Sequence, residues 1–227
     1  MTIVSDGFVL AFLQSFLINI WVAAASLLLG LAIGSPLAWL RNRAGWMGLS
    51  SATFTAILRA APTFVVMFFL LNVIPDNIDI LGFSLPIPNV LTLVLALSIY
   101  AAAYVSDNLL DALRHMQRGS QSAALLFVPN MLRAFIVLVM ASSTGAAIGV
   151  QEAVTTTLRE TDRLSTIGSR IGLVIAVILF FASLMQVARF GARWLTAFLS
   201  APAIGPAAVA MATTEQTEAA ELVVRDA

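Results

Sequence analysis

Few residues in this 227-residue chain can do chemistry, and their types are restricted. It has twelve acidic residues, twelve basic residues, one histidine and no cysteine, and every basic residue is an arginine. Without cysteine, disulfides and thiolate nucleophiles are excluded. His115 has no second histidine for a metal and no carboxylate–serine constellation around it, so no residue is assigned a catalytic or metal-ligating role. A phosphate-binding loop of the Walker type needs a lysine on the β- and γ-phosphates. The chain therefore cannot be a P-loop ATPase, and if ATP drives it, another subunit hydrolyses the ATP. No cofactor is expected. The zero net charge suggests no nucleic-acid partner.

Four places hold polar groups that call for explanation. Arg133 lies inside a long apolar stretch, about 15 Å from its start at Ala123 if that stretch is one helix. At such a depth an arginine faces a bundle interior or an aqueous path, and its fork suits a substrate carboxylate. A structural ion pair is the plainer alternative. Arg59 lies near the inner end of its apolar stretch and is expected to snorkel or pair with a cytoplasmic carboxylate. Residues 107–118 carry Leu109, Leu113 and Met116 on one helical face, with Asp111, Arg114 and Arg118 among the polar positions, and Gly119 breaks the pattern. Such a segment is either an amphipathic turn on the membrane surface or a docking knob. Glu152, alone, reads as an interfacial carboxylate.

The elements that must position these residues are apolar helices. Apolar residues make up 60% of the chain, charged ones 11%, and the mean hydropathy is +0.96. A soluble domain is nearer half apolar and a quarter charged, whereas a lipid solvent accommodates this composition. The pattern predicts an all-α polytopic membrane protein with five spans. They fall at about Gln14–Leu40, Ser51–Val73, Val90–Ser106, Ala123–Gly149 and Ile171–Ala188. Residues 7–13 read as an outer interfacial segment, and Pro62 should kink the second span. A polar loop is expected over 74–89, and a polar, charged connection over 151–170. Residues 1–199 form the transmembrane domain, and 200–227 read as a disordered cytoplasmic tail. Arg41 and Arg43, Arg114 and Arg118, and Arg189 and Arg193 fall on one side, which the positive-inside rule makes cytoplasmic. The N-terminus is then outside and the C-terminus inside, against which Arg159, Arg163 and Arg170 count. The pairs Gly30/Gly34, Gly145/Gly149 and Gly168/Gly172 allow close helix approach, within the chain or at a subunit interface.

Taken in order, several segments resemble the permease subunits of binding-protein-dependent ABC importers, in particular the polar amino-acid uptake branch. They are 26–43, SLLLGLAIGSPLAWLRNR; 54–75, FTAILRAAPTFVVMFFLLNVIP; 96–109, ALSIYAAAYVSDNL; 112–124, ALRHMQRGSQSAA; and 142–154, SSTGAAIGVQEAV. The family's Arg-Gly-Thr-Pro element stands here as Arg59-Ala60-Ala61-Pro62. Its loop element Gly-Gln-x-Glu-Ala-Ala stands as Gly119-Ser120-Gln121-Ser122-Ala123-Ala124. Its Ile-Gly-Val-x-Glu-Leu element stands as Ile148-Gly149-Val150-Gln151-Glu152-Ala153, and its Lys-Asp/Asn-Thr-Ser element as Met140-Ala141-Ser142-Ser143. The stretch from Ala124 to Gly149 is shorter than the family's spacing by about twenty residues, or ~30 Å of helix.

The resemblance implies a permease in the bacterial inner membrane that takes up an amino acid or related zwitterion by alternating access. Its partners would be a cytoplasmic ABC ATPase, a second permease subunit and an extracytoplasmic substrate-binding protein, all around a lipid bilayer. Arg133, Ser142, Ser143 and Glu152 would belong to the substrate path, Glu152 at the outer gate. Asp111, Leu113, Arg114, Met116, Arg118 and Gly119 would couple to the ATPase. Two other classes stay open: a secondary transporter or channel subunit, and a permease-like scaffold that no longer couples.

Overall fold

The computed structural model describes residues 5, 7–75, 77–80, 83–120 and 124–200. Helix α1 spans Phe8–Arg41, α2 Trp46–Ala60 and α3 Thr63–Val73. A small antiparallel hairpin follows, β1 (Asn77–Ile80) with β2 (Phe83–Pro86), pairing Asn77 with Pro86 and Ile80 with Phe83. Then come α4 (Asn89–Gln117), α5 (Phe127–Ala141), a 3-10 helix (Ser142–Ile148), α6 (Ala153–Arg163) and α7 (Ile167–Ser200). Among the described residues, four helices are long and apolar enough to cross a membrane: α1, α4, α5 with its 3-10 extension, and α7.

The packing sets their directions. Along α1 and α4 the contacts advance together. Ser26 Oγ donates to the Val94 carbonyl, Gly30 lies against Ala101, Gly34 against Ala102 and Val105, and Arg41 reaches Ser106 and Asp107. These two helices are therefore parallel. Helix α5 is antiparallel to them: its start meets the end of α4 through Asn130 and Asn108, and Gly145 just beyond it meets Leu93 near the start of α4. Helix α7 runs back along α5, with Arg189 and Arg193 beside Arg133 and Val174 and Ile178 beside Ser143. Because α1 and α4 are parallel, the chain between them must return across the molecule.

That return departs from the single span expected at 51–73. Helix α2 does not cross. Its contacts, Gly48 with Leu40 and Arg43, Ser51 with Leu37, and Thr55 with Ser106, all lie at the arginine-rich end of α1 and α4. A 92° bend separates α2 from α3, which alone climbs towards the 3-10 helix, where Thr144 meets Met67. The expected effect of Pro62 is therefore present, but as a break. Pro62 has no N–H to continue a helix, and it holds Ala61 extended (ψ 117°) while itself extended (ψ 115°). Four helices thus pass as full spans, and the bent α2–α3 pair supplies at most a fifth, a broken crossing in place of the single span expected.

Three other boundaries move. The expected loop at 74–89 contains the hairpin. The stretch 151–170 contains α6, whose buried Ala153, Thr157 and Glu160 recur at helical spacing and face α1 and α7. The last helix extends well past Ala188, to Ser200; the tail called disordered lies outside the described residues.

The core lies along the α1–α4 seam, with Val22, Ala23, Leu93, Leu97, Ala101 and Leu138 buried. A Cβ on Gly30 would stand 2.4 Å from the Ala101 Cβ, and one on Gly34 2.5 Å from the Ala102 carbonyl oxygen. Both glycines therefore serve packing inside the chain, and overpacking there would cost about 1–3 kcal/mol. By contrast, a Cβ on Gly168 or Gly172 would meet nothing, and α7 is the least covered of the long helices.

Candidate functional site

Two polar clusters and one protruding helix end carry the residues of interest. The first cluster joins α1, α2 and α4. Asp107 Oδ1 accepts from Arg41 Nη1 at 2.7 Å, and Asp107 Oδ2 accepts from Arg59. Arg41 Nη1 also donates to Ser106 Oγ at 3.0 Å, and its Nε is buried without a partner. Arg59 thus pairs with a carboxylate, as its sequence position suggested. Asp107 received no role from the sequence; it sits at the crossing point of three helices and ties the flat α2 to the α1–α4 pair.

The second cluster joins α1, the 3-10 helix and α6. Glu152 is 1% exposed and is the N-cap of α6. Its Oε2 accepts from Val154 N at 2.9 Å and from Asn19 Nδ2 at 3.0 Å. Its Oε1 accepts from Thr155 N at 2.8 Å and from Thr155 Oγ1 at 3.1 Å. Asn19 also donates to Ser142 Oγ at 2.9 Å and accepts from Ala153 N at 3.1 Å. Every donor around Glu152 is an N–H or O–H, and none is a cation. The open amides of a helix start, together with its dipole, satisfy a carboxylate without a counter-ion. Asn19 is the residue sequence reasoning missed: a carboxamide 0% exposed within the first apolar run, where a polar side chain needs partners.

The four residues expected to share a substrate path are not brought together. Ser142 and Glu152 are locked in the buried cluster. Ser143 lines an apolar groove of about 450 Å³ between α5, α6 and α7. Arg133 is exposed and lies one helical turn beyond Asn130, to whose Oδ1 it donates at 3.2 Å. Because Asn130 meets Asn108 beside Asp107, Arg133 belongs near the arginine-rich end. The mid-membrane depth expected for it is corrected: a turn at Leu126 interrupts the apolar run, and α5 begins only at Phe127.

The expected coupling residues lie at the end of α4, which continues straight out of the packed region. Leu110 and Ala112 are still buried; Leu113 is half-buried; Asp111, Arg114, Met116 and Arg118 are exposed. Asp111 makes no ion pair among the described residues. Gly119, at φ +78°, ends the helix as its sequence position suggested. The segment is the end of a long helix, with no separate helix of its own.

At the opposite end Glu160 is 4% exposed, accepts from Ser5 N at 2.7 Å and lies 3.5 Å from Arg163. The hydrogen bond from Ser5, then the Arg163 charge, hold its carboxyl below the ordinary value against the opposing effect of burial.

No family model matches the chain, and no curated protein matches it in sequence. Solved structures do. A chain of the crystal structure of an amino acid ABC transporter with histidines superposes with a TM-score of 0.60 at 14% identity, covering 83% of this chain and 95% of that one. A chain of the MetNI methionine ABC transporter in inward-facing conformations superposes with a TM-score of 0.62 at 14% identity, covering 86% of this chain and 99% of that one. Nearly the whole length of each neighbour is matched. The chain has an ABC importer permease-like fold.

Proposed function

We propose that this chain is the membrane-spanning permease subunit of an ATP-driven importer in a bacterial inner membrane. The observation that supports it most is the fold shared with two ABC transporter chains over almost their full length. Eight arginines, at 41, 43, 59, 114, 118, 133, 189 and 193, gather at one end, against those at 159, 163 and 170 at the other. The positive-inside rule then makes the arginine-rich end cytoplasmic. The chain itself does no covalent chemistry. It works with a second permease subunit, a cytoplasmic ATPase and an extracytoplasmic binding protein, and it alternates access by rigid-body rocking. An amino acid or related zwitterion is the proposed substrate class, from the sequence resemblance and the nature of the two structural neighbours.

Coupling falls to the cytoplasmic end of α4, where Leu113 and Met116 offer an apolar surface flanked by Asp111, Arg114 and Arg118 before the turn at Gly119. Leu113→Glu with Met116→Glu should weaken binding of the ATPase subunit and uncouple its hydrolysis from uptake, as read by co-purification and by ATPase and transport assays in proteoliposomes. A double variant that keeps both refutes the assignment. The short stretch of sequence between α4 and α5, 118–126, favours a second reading, a permease-like scaffold. Failure of any ATPase subunit to co-purify with the unmodified chain would support that reading instead.

A further inference from the structure

Arg133, Arg189 and Arg193 line one cavity of about 330 Å³ between α5 and α7, together with Ile136, Val137 and Met185. None of these three guanidiniums has a carboxylate within ion-pair reach among the described residues. Arg133 makes one hydrogen bond, to Asn130, and Arg189 and Arg193 present their charge one turn apart on the same helix face. Like charges at that spacing repel, and no group of the described fold offsets them. All three arginines are exposed.

The surroundings specify what would offset them. The floor of the cavity is apolar, and α7 around it exposes Phe190 (74%), Trp194 (65%) and Phe198 (68%), with Trp194 stacked on Phe198. Aromatic side chains on a long apolar helix gather at the headgroup level of a bilayer. Guanidinium forks bind phosphate oxygens bidentately, and basic pockets between membrane helices receive anionic headgroups. We infer that this cavity is a binding site for an anionic phospholipid. Its phosphate lies among Arg133, Arg189 and Arg193, and an acyl chain runs over Ile136, Val137 and Met185. The tail beyond Ser200 carries Glu215, Glu218 and Glu221, a rival occupant that the experiment must separate.

The full chain, reconstituted in phosphatidylcholine nanodiscs doped with phosphatidylglycerol, is released into the gas phase, and its retained lipids are counted by native mass spectrometry. The expected result is one retained phosphatidylglycerol per chain that Arg133→Gln/Arg189→Gln/Arg193→Gln loses, with affinity lower by roughly a hundredfold. Arg193→Lys should lose only a few-fold, because it keeps the charge. Arg43→Gln, at an arginine stacked on Trp39 at the same end, should change nothing. If the triple variant does not fold, Arg193→Gln decides, with roughly a fivefold loss expected. Equal retention in the variant, equal retention of phosphatidylcholine, or displacement by millimolar inorganic phosphate would overturn the inference. So would altered lipid retention on Glu215→Gln/Glu218→Gln/Glu221→Gln in the full chain, which would make the tail the occupant.

Discussion

Asp107 and Glu152 are both carboxylates at helix junctions in an apolar chain, and their environments differ in kind. Asp107 meets two guanidiniums and keeps 32% of its side chain exposed. Glu152 meets no cation, is 1% exposed, and takes its hydrogen bonds from amides and a hydroxyl at the start of α6 and from the Asn19 carboxamide of α1. Half-exposed ion pairs exchange with water and are screened by salt. A buried carboxylate with a full set of donors has one geometry, and its partners have no substitute for it. The difference marks where such a molecule can rearrange. On this contrast the α1–α2–α4 junction at the arginine-rich end is the one able to open and re-form, and the junction of α1 with the 3-10 helix and α6 is the fixed point.

The sharpest way to break this comparison is Glu152→Leu. It strands the backbone amides of Val154 and Thr155 and leaves Asn19 Nδ2 only Ser142 Oγ, so a loss of about 3 kcal/mol or more is expected in a denaturant titration in detergent. A shift under about 1 kcal/mol would mean the cluster does not pin the fold. Asp107→Ala comes next. It leaves Arg41, whose side chain is mostly buried, only Ser106, and should cost about 2 kcal/mol while loosening α2, seen as faster hydrogen exchange over 46–60. If exchange there is unchanged, the aspartate does not hold α2. The smallest effect belongs to Arg59→Gln, below about 1 kcal/mol, since its side chain is 58% exposed. A larger loss, persisting in high salt, would show that this end is as rigid as the other.

Much of this arrangement was legible in the sequence because apolar runs and arginine positions report directly on a lipid solvent. The crossings at α1, α4, α5 and α7, the break at Pro62 and the stop at Gly119 all came from local chemistry. What stayed hidden depends on partners distant in the chain. Helix α2 is apolar enough to pass for half a span, and only its contacts with Leu37, Leu40 and Ser106 show it lying flat. A signal existed: Arg43 and Arg59 bracket it, and two arginines at one level cannot enclose a crossing. Glu152 looked like an interfacial carboxylate because its burial depends on Asn19, and Asn19 drew no notice because one carboxamide in a long apolar run has no periodicity. Arg133 was placed too deep because a turn at Leu126 breaks the apolar run, and α5 starts only after it.

The separation between Asn19 and its partners also bears on how the chain is made. Asn19 lies about 16 Å along α1 from Phe8, and its partners are 123 to 134 positions later in the chain. As synthesis proceeds, α1 enters the bilayer with that carboxamide unmatched, and it stays so while α2, α3, α4 and α5 are laid down. The seam with α4 can close earlier, through Gly30 and Gly34, but the upper part of α1 cannot settle until Ser142, Glu152 and Ala153 have emerged. A nascent chain stopped before Ser142 therefore presents a lone amide to lipid, the kind of defect by which membrane quality control can tell an unfinished chain from a finished one.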